Sequence, residues 1–314
     1  MVRRLVYSKH APSQNCGVAF FSEQLARRLD ARHVHGFHGF SRCDEFYINI
    51  DLLELQEGEA VSLLNFIRQG GAQRVVLILH DYHFTCLEGE LIKASDLVVN
   101  LSCEDIGEPH QTNIIDLFSP PLTETPLFSL ANTGPRPLTL AFGFFSPRKK
   151  SFSSYVGFYQ HMLTHFPQWG HVVVASAHEG DATADPKALS RMFSSSSMIF
   201  LEFMPNVMLT ELVGIAELGV CFYPSGVMRN NAVPMSFFAQ GKPVITNYGD
   251  STPEVYFDFT LDMQKFDRID FSQRDHLRSL GARAKAYYQD NWTWDIFIEG
   301  IVKQPDVCSG PSRP

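Results

Sequence analysis

The stretch "GVCFYPSGVMRNNAVPMSFFAQGKPVIT" (219–246) reads as strand, loop, helix, turn and strand. Val220, Cys221, Phe222 and Tyr223 make a short continuous apolar run, the pattern of a strand buried on both faces of a parallel sheet. Pro224 and Gly226 end it. Asn230 or Asn231 fits a helix N-cap, which leaves nearby backbone N–H groups free for an anion. The run from Ala232 to Gln240 continues as a helix, Gly241 stops it, and 242–246 return to strand. Such a strand–helix–strand passage is the building block of a doubly wound α/β domain.

The same alternation extends in both directions. Strands are predicted at 4–8, 45–50, 74–80, 96–102 and 112–118, and again at 138–145, 171–177, 198–203, 219–224 and 242–246. Helices are predicted at 17–30, before Gly70-Gly71, and at 152–165, 186–195, 206–217, 231–240 and 273–290. Between the two series lies "SPPLTETPLFSLANTGPRP" (119–137), whose five prolines read as an interdomain linker. The sequence therefore predicts two doubly wound, Rossmann-like α/β domains, 1–118 and 138–290, facing across a cleft. A terminal helical segment follows at 291–303, and 304–314 reads as a frayed tail. Ligands of such sheets bind beyond the carboxyl ends of the strands, so residues that follow strands are the candidates for function.

The bulk numbers exclude several classes. The 314 residues, 45% hydrophobic, suffice for large cores without covalent staples. A net charge of −8 gives no overall footprint for duplex nucleic acid, although Arg3, Arg4, Arg27 and Arg28, and Arg148 to Lys150, are locally basic. Six cysteines without regular spacing read as reduced thiols. No apolar run approaches a membrane span, and "LVY" near the N-terminus is too short for a signal core, so a cytoplasmic protein is expected.

Four stretches carry chemistry. In "SKHAPSQNCGVAFFSEQLARRL" a polar loop containing Asn15 leads to Gly17 at a helix start, where backbone can approach a phosphate closely; an ordinary βα turn accounts for it equally. In "LILHDYHFTC", His80 and Asp81 stand where a buried strand ends, placed either to orient a sugar hydroxyl or the reacting centre, or to cap the next turn. In "AFGFFSPRKKSF" the strand ends at Gly143, and Arg148, Lys149 and Lys150 precede a helix, which suits a diphosphate as well as a solvated basic turn. The spacing is not that of a Walker A loop. In the stretch quoted first, Arg229, Asn230, Asn231 and Ala232 surround a helix start.

Taken together, "CGVAFFSEQLARRL", "LHDYHF", "FGFFSPRKKSF", "YPSGVMRNNAVPMSFFAQGKPVIT" and "ARAKAYYQDNWTWDIFIEGI" resemble the retaining GT-B glycosyltransferases that use nucleotide sugars, in order over residues 5 to 300. The resemblance implies donor contacts at Gly17, Gly143, Arg229, Asn230, Asn231, Ala232 and Glu254. It implies His80 at the reacting sugar, with Asp81 and Asn15 on the acceptor side. It puts Lys149 on the diphosphate, with Arg148 replacing the usual arginine at Phe144, and it reads Lys150 as the motif's glycine. It also implies that the terminal helix crosses back to the first domain. The chain departs from the family at its E-x7-E pair, whose positions are Met228 and Ser236.

The expected activity is transfer of a sugar from a UDP- or GDP-sugar to an acceptor hydroxyl with retention, without metal or other cofactor. The acceptor is a saccharide, a small molecule, a protein or a modified nucleic acid. The alternatives are a non-catalytic GT-B-like protein that binds a nucleotide sugar or a partner, and a GT-B sugar epimerase. His33, His35 and His38 in "HVHGFHGF" lack a second ligand cluster and are not assigned a metal. Trp292 and Trp294 are expected to anchor the terminal helix.

Overall fold

The structure, a computed structural model, describes residues 2–11, 17–36, 41–50, 57–106, 113–123, 136–145, 150–176, 184–193, 197–202 and 204–303. The chain forms two compact units, Met1–Phe118 with Trp294–Pro314, and Ser119–Thr293.

Unit 1 contains β1 (Arg4–Ser8), α1 (Gly17–Arg28), β2 (Arg32–His35), β3 (Cys43–Ile50), α2 (Glu57–Arg68), β4 (Ala72–Leu79), α3 (Cys86–Ala94), β5 (Leu97–Asn100) and β6 (Ile114–Asp116). Its strands form one parallel sheet in the order β2-β1-β3-β4-β5-β6. Alternate side chains enter two cores. Leu5, Tyr7, Phe46, Ile48, Val75 and Leu77 pack on one face, and Val6, Tyr47, Val76 and Ile78 on the other.

Unit 2 contains β7 (Leu138–Phe144), α4 (Phe152–His165), β8 (Gly170–Ser176), α5 (Ala184–Met192), β9 (Met198–Leu201), α6 (Asn206–Ile215), β10 (Leu218–Cys221), α7 (Ala232–Ala239), β11 (Val244–Thr246), β12 (Thr260–Asp262) and α8 (Arg274–Asn291). The sheet order is β12-β11-β10-β7-β8-β9, again all parallel. Helix α7 lies close to the sheet because Gly219 has no side chain. A Cβ there would fall 2.6 Å from the Phe237 ring. That ring also contacts Phe142, with centroids 5.3 Å apart.

The final helix, α9 (Trp294–Val302), belongs to unit 1. Trp294, Phe297 and Ile301 enter the same core as Phe21 and Leu25. Each buried side chain contributes about 1.5–3 kcal/mol. Arg28 lies over the Trp294 ring at 5.3 Å, and Arg74 donates to the Ile301 carbonyl. Trp292, two residues earlier, stays in unit 2, stacked with Phe238 and Tyr256. The two tryptophans thus anchor different units.

Sequence reading passes over three elements. Strand β2 is "RHVH", too polar to show as a sheet strand, β12 has three residues, and α3 is short with a weak apolar face. The segment read as linker begins inside unit 2. Ser119 and Thr123 are buried, and the Ser236 hydroxyl accepts from the amides of Leu122 and Thr123. Residues 124–135 lie outside the described residues.

One buried histidine ties stability to pH. His171 is in the unit 2 core, its Nδ1 paired with the Thr139 hydroxyl at 2.8 Å. Its Nε2 has no partner among the described residues, and burial pushes its pKa down to about 4. The folded state therefore binds this proton less readily than the unfolded chain does. Stability is complete above the ordinary value of 6.5 and falls as pH drops from there toward 4. Between pH 7 and pH 5 the expected loss is about 2 kcal/mol. Urea unfolding at the two pH values measures it, and the loss should vanish in His171→Gln.

Candidate functional site

In unit 2 the sheet order reverses direction between β7 and β10, the topological switch point at which open α/β sheets bind ligands. The groups around it are built from three strand ends. Gly143, in β7, adopts a φ of +119°, a backbone conformation that a side chain would strain. The Ser151 amide donates to the Phe222 carbonyl, which fastens the β7–α4 loop to the end of β10. Lys150 is thereby carried into the interior and is only 4% exposed.

The Lys150 ammonium has no hydrogen-bond partner among the described residues. It lies 4.4 Å above the Tyr223 ring and 5.8 Å from the Phe145 ring. Burial pushes its pKa down to about 8. A cation in this state lacks an anion. A Cβ on Gly143 would lie 3.8 Å from Lys150 Nζ and 3.5 Å from Val233, so the ammonium and the first turn of α7 converge on the same strand end. Asn231 is the N-cap of α7, but its side chain makes no capping bond. Its Oδ1 accepts from the Met228 amide at 2.7 Å, and its Nδ2 donates to Asn230 Oδ1. The helix start therefore keeps its partial positive charge beside the lysine, a combination that suits an anion.

The rim is braced from below. Asn247 clasps the Tyr223 backbone, accepting from its N–H at 2.8 Å and donating to its carbonyl. The loop at Gly226, with φ +84°, lies against the loop at Gly249 so closely that a Cβ on Gly249 would fall 2.0 Å from the Ser225 carbonyl oxygen. The Tyr256 hydroxyl holds the Met228 carbonyl. These contacts fix the loop that follows β10 and its entry into α7.

A second cluster occupies the switch point of unit 1, between β1 and β3. Asn49, buried near the end of β3, donates to the Ser22 hydroxyl at 2.7 Å and to the Val18 carbonyl at 3.3 Å, both on α1. Its Oδ1 faces His80 Nε2 at 2.7 Å. Because the Asn49 oxygen can only accept, Nε2 carries a hydrogen. The edge of the His80–Phe21 pair, with centroids 5.1 Å apart, completes the orientation.

The residues expected from sequence fall as follows. Gly17 is exposed at the first position of α1, and a Cβ there would meet nothing within 4 Å among the described residues. Asp81 is half-buried beside His80. Gly143, Asn230, Asn231 and Ala232 lie in the unit 2 cluster, and the Arg229 carbonyl accepts from the Ser119 amide. Glu254 is exposed in the first turn of the short 3-10 helix Glu254–Asp258. Asn15, Arg148 and Lys149 lie outside the described residues. Met228 is half-buried, whereas Ser236 is fully buried and hydrogen-bonded to backbone.

Sequence reading named Lys150 only within a basic run and passed over Asn49, Tyr223 and Asn247. A lone asparagine inside "EFYINI" was a usable signal, since a buried polar group in a strand needs partners. Nothing in "PRKK" told that Lys150 turns inward. Among the described residues no three His, Cys, Asp or Glu side chains converge to hold a metal ion. His33, on β2, pairs instead with the Ser8 hydroxyl at 2.8 Å, and His38 lies outside the described residues. No described helix is long and apolar enough to cross a membrane.

Two doubly wound units with these switch-point clusters define the GT-B fold, the architecture of a large class of glycosyltransferases. No family model and no curated protein sequence matches the chain. Solved structures do. An α-glucosyltransferase in complex with UDP and a 13-mer DNA containing an HMU base superposes with a TM-score of 0.66 at 14% identity, covering 96% of this chain and 98% of that one. Sucrose-phosphate synthase from Thermosynechococcus elongatus gives 0.64 at 13% identity, with 95% and 97% covered. A trehalose 6-phosphate synthase from Burkholderia multivorans gives 0.61 at 9% identity, with 96% and 98% covered.

Proposed function

We propose that this protein transfers a glycosyl unit from a nucleoside diphosphate sugar to an acceptor hydroxyl with retention of configuration. The observation that carries this reading is the buried Lys150 ammonium, unpartnered among the described residues and set beside the α7 N-terminus at the unit 2 switch point. A diphosphate supplies the missing negative charge, and Gly143 lets backbone approach it. Arg148 and Lys149 adjoin Lys150 in sequence and add positive charge. UDP and GDP are the nucleotides tested first, because two proteins of this fold, the α-glucosyltransferase and S. aureus TarM, carry UDP in their solved complexes.

In the reaction, the bond between the sugar's anomeric carbon and the diphosphate oxygen breaks, and the acceptor oxygen bonds to that carbon from the same face. The departing diphosphate oxygen takes the acceptor's proton. Unit 2 contributes charge stabilisation of the leaving group, a task that grows as the bond breaks. Lys150, the neighbouring cations and the helix start perform it in this reading, so turnover is expected to survive a chelator. His80, held through Nε2–H by Asn49, is assigned to the reacting sugar, Asp81 and Asn15 to the acceptor side, and Gly17 to the donor phosphates. Glu254 is assigned to the ribose.

The non-catalytic alternative draws on Met228 and Ser236, neither of which is acidic, and on the wholly structural bonding of Ser236. A thermal-shift series with UDP, GDP and ADP, followed by nucleotide release from the matching sugars, separates the readings. At a concentration one hundred times its Kd the correct nucleotide stabilises by about 2.7 kcal/mol. Stabilisation with release supports glycosyl transfer. Stabilisation without release from any donor favours the binding protein, interconversion of the free sugar favours an epimerase, and no stabilisation at all sinks the nucleotide-sugar reading.

A further inference from the structure

The turn that follows β4 and the His80-Asp81 pair contains a strained aromatic side chain. Phe84 has a φ of +57°, in the left-handed region that bulky side chains avoid at a cost of about 1–2 kcal/mol. Burial does not compensate it, since Phe84 is 66% exposed. The conformation is imposed by a single carboxylate. Glu88, fully buried, accepts from the amide of His83 at 2.9 Å and from the amide of Thr85 at 2.7 Å, the two residues that flank Phe84. It also accepts from the Thr85 hydroxyl, which in turn caps α3.

Tyr82 provides the support. It is partly buried against the unit 1 core, and its ring centroid lies 4.4 Å from that of Phe84, tilted by 48°. A large apolar ring is thus lifted out of the core, backed on one side and open to solvent, five residues after the end of β4. Surroundings that over-determine a strained residue in this way accompany binding and catalytic sites.

We propose that Tyr82 and Phe84 form a stacking platform for a neutral pyranose ring of the acceptor. The negative face of an aromatic ring attracts the partly positive C–H bonds of a sugar's apolar face. Charge selects the class of ring. Between His80 and Ala94 the charges are Asp81, the buried Glu88 and Glu90 against Lys93, with Arg68 paired to Glu90, so no excess of positive charge gathers there, and the chain carries a net −8, which opposes a polyanionic acceptor. The inference rests on the glycosyl-transfer reading for the word acceptor, but the platform is testable without turnover.

The test is saturation-transfer NMR on the full chain, with methyl α-glucopyranoside, methyl α-galactopyranoside, methyl α-mannopyranoside and thymidine as probes. Wild type should transfer saturation to the ring C–H protons of at least one pyranoside. Phe84→Ala should reduce it at least tenfold, and Phe84→Trp should retain it. Phe84→Gly, which relieves the positive φ, should melt no lower than wild type while losing the signal, so that lost binding is not mistaken for lost folding. No transfer to any pyranoside in wild type, equal transfer in Phe84→Ala, or transfer to thymidine alone overturns the proposal. Nucleotide release that is unaffected by Phe84→Ala in the presence of a bound pyranoside overturns the platform and leaves glycosyl transfer standing. Pyranoside binding that depends on Phe84 in a protein that binds no nucleotide supports the platform and overturns the transferase.

Discussion

Lys150→Met is expected to lower nucleotide release from the donor sugar at least a hundredfold while raising the melting temperature of the ligand-free protein. Both effects come from one feature. The ammonium is buried without an anion, and its pKa is pushed down to about 8 from the ordinary 10.5. A cation whose folded value lies below its unfolded one costs the fold stability as pH falls through 10.5 to 8. At pH 7 the whole cost, about 3 kcal/mol, is in place. Methionine has a similar reach and no charge, so that cost disappears. A hundredfold loss of turnover corresponds to about 2.7 kcal/mol of transition-state stabilisation, a usual value for one buried charge–charge contact on a leaving group. The ligand-free and UDP-bound melting curves, with initial rates, measure all of this. Unchanged rates would remove Lys150 from the site, and a lower melting temperature would contradict the uncompensated charge.

The pH dependence follows with a definite sign. Below pH 8 the free site holds a cation and binds diphosphate fully. Above it the free lysine loses its proton, so the apparent donor Kd should weaken with rising pH, approaching tenfold per pH unit. Lys149→Ala is expected to lower donor turnover at least tenfold, about 1.4 kcal/mol, without altering this pH limb. The contrast between the two lysines separates a buried charge from an adjoining one.

His80→Ala is the second large effect. Turnover should fall by about a hundredfold or more with nucleotide binding intact, because His80 belongs to unit 1 and the diphosphate is assigned to unit 2. Asn49→Asp gives the finer measurement. A carboxylate at Asn49 would face Nε2 and favour the imidazolium, so the lower limb of the pH–rate profile should move to higher pH. Asn49→Ala should instead lower kcat without that displacement, since it removes the partner that orients the ring. A purely structural Asn49 would change stability in both variants and leave the profile where it was.

Much of the architecture was legible because apolar periodicity reports burial directly. The continuous runs "VVLIL" and "GVC" belong to strands flanked on both sides, and helix 152–165 was read to the residue. What the pattern reported poorly was any strand too polar or too short to carry it, such as β2 and β12. The candidate site was legible only at the strand ends. Strand-end positions singled out His80, Gly143 and the Asn230-Asn231 pair, because a parallel sheet puts its ligands there.

By itself, then, the sequence determined the alternation, the parallel sheets, and the loops where chemistry belongs, all of which depend on local order along the chain. Tertiary structure decided that Lys150 turns inward, since that depends on the bond from Ser151 to Phe222 and the floor made by Tyr223. It also decided which nitrogen of His80 meets an asparagine 31 residues away, and it buried Ser236 against the amides of Leu122 and Thr123. These are properties of atoms brought together across strands, and no reading of neighbours in sequence contains the distances that fix them.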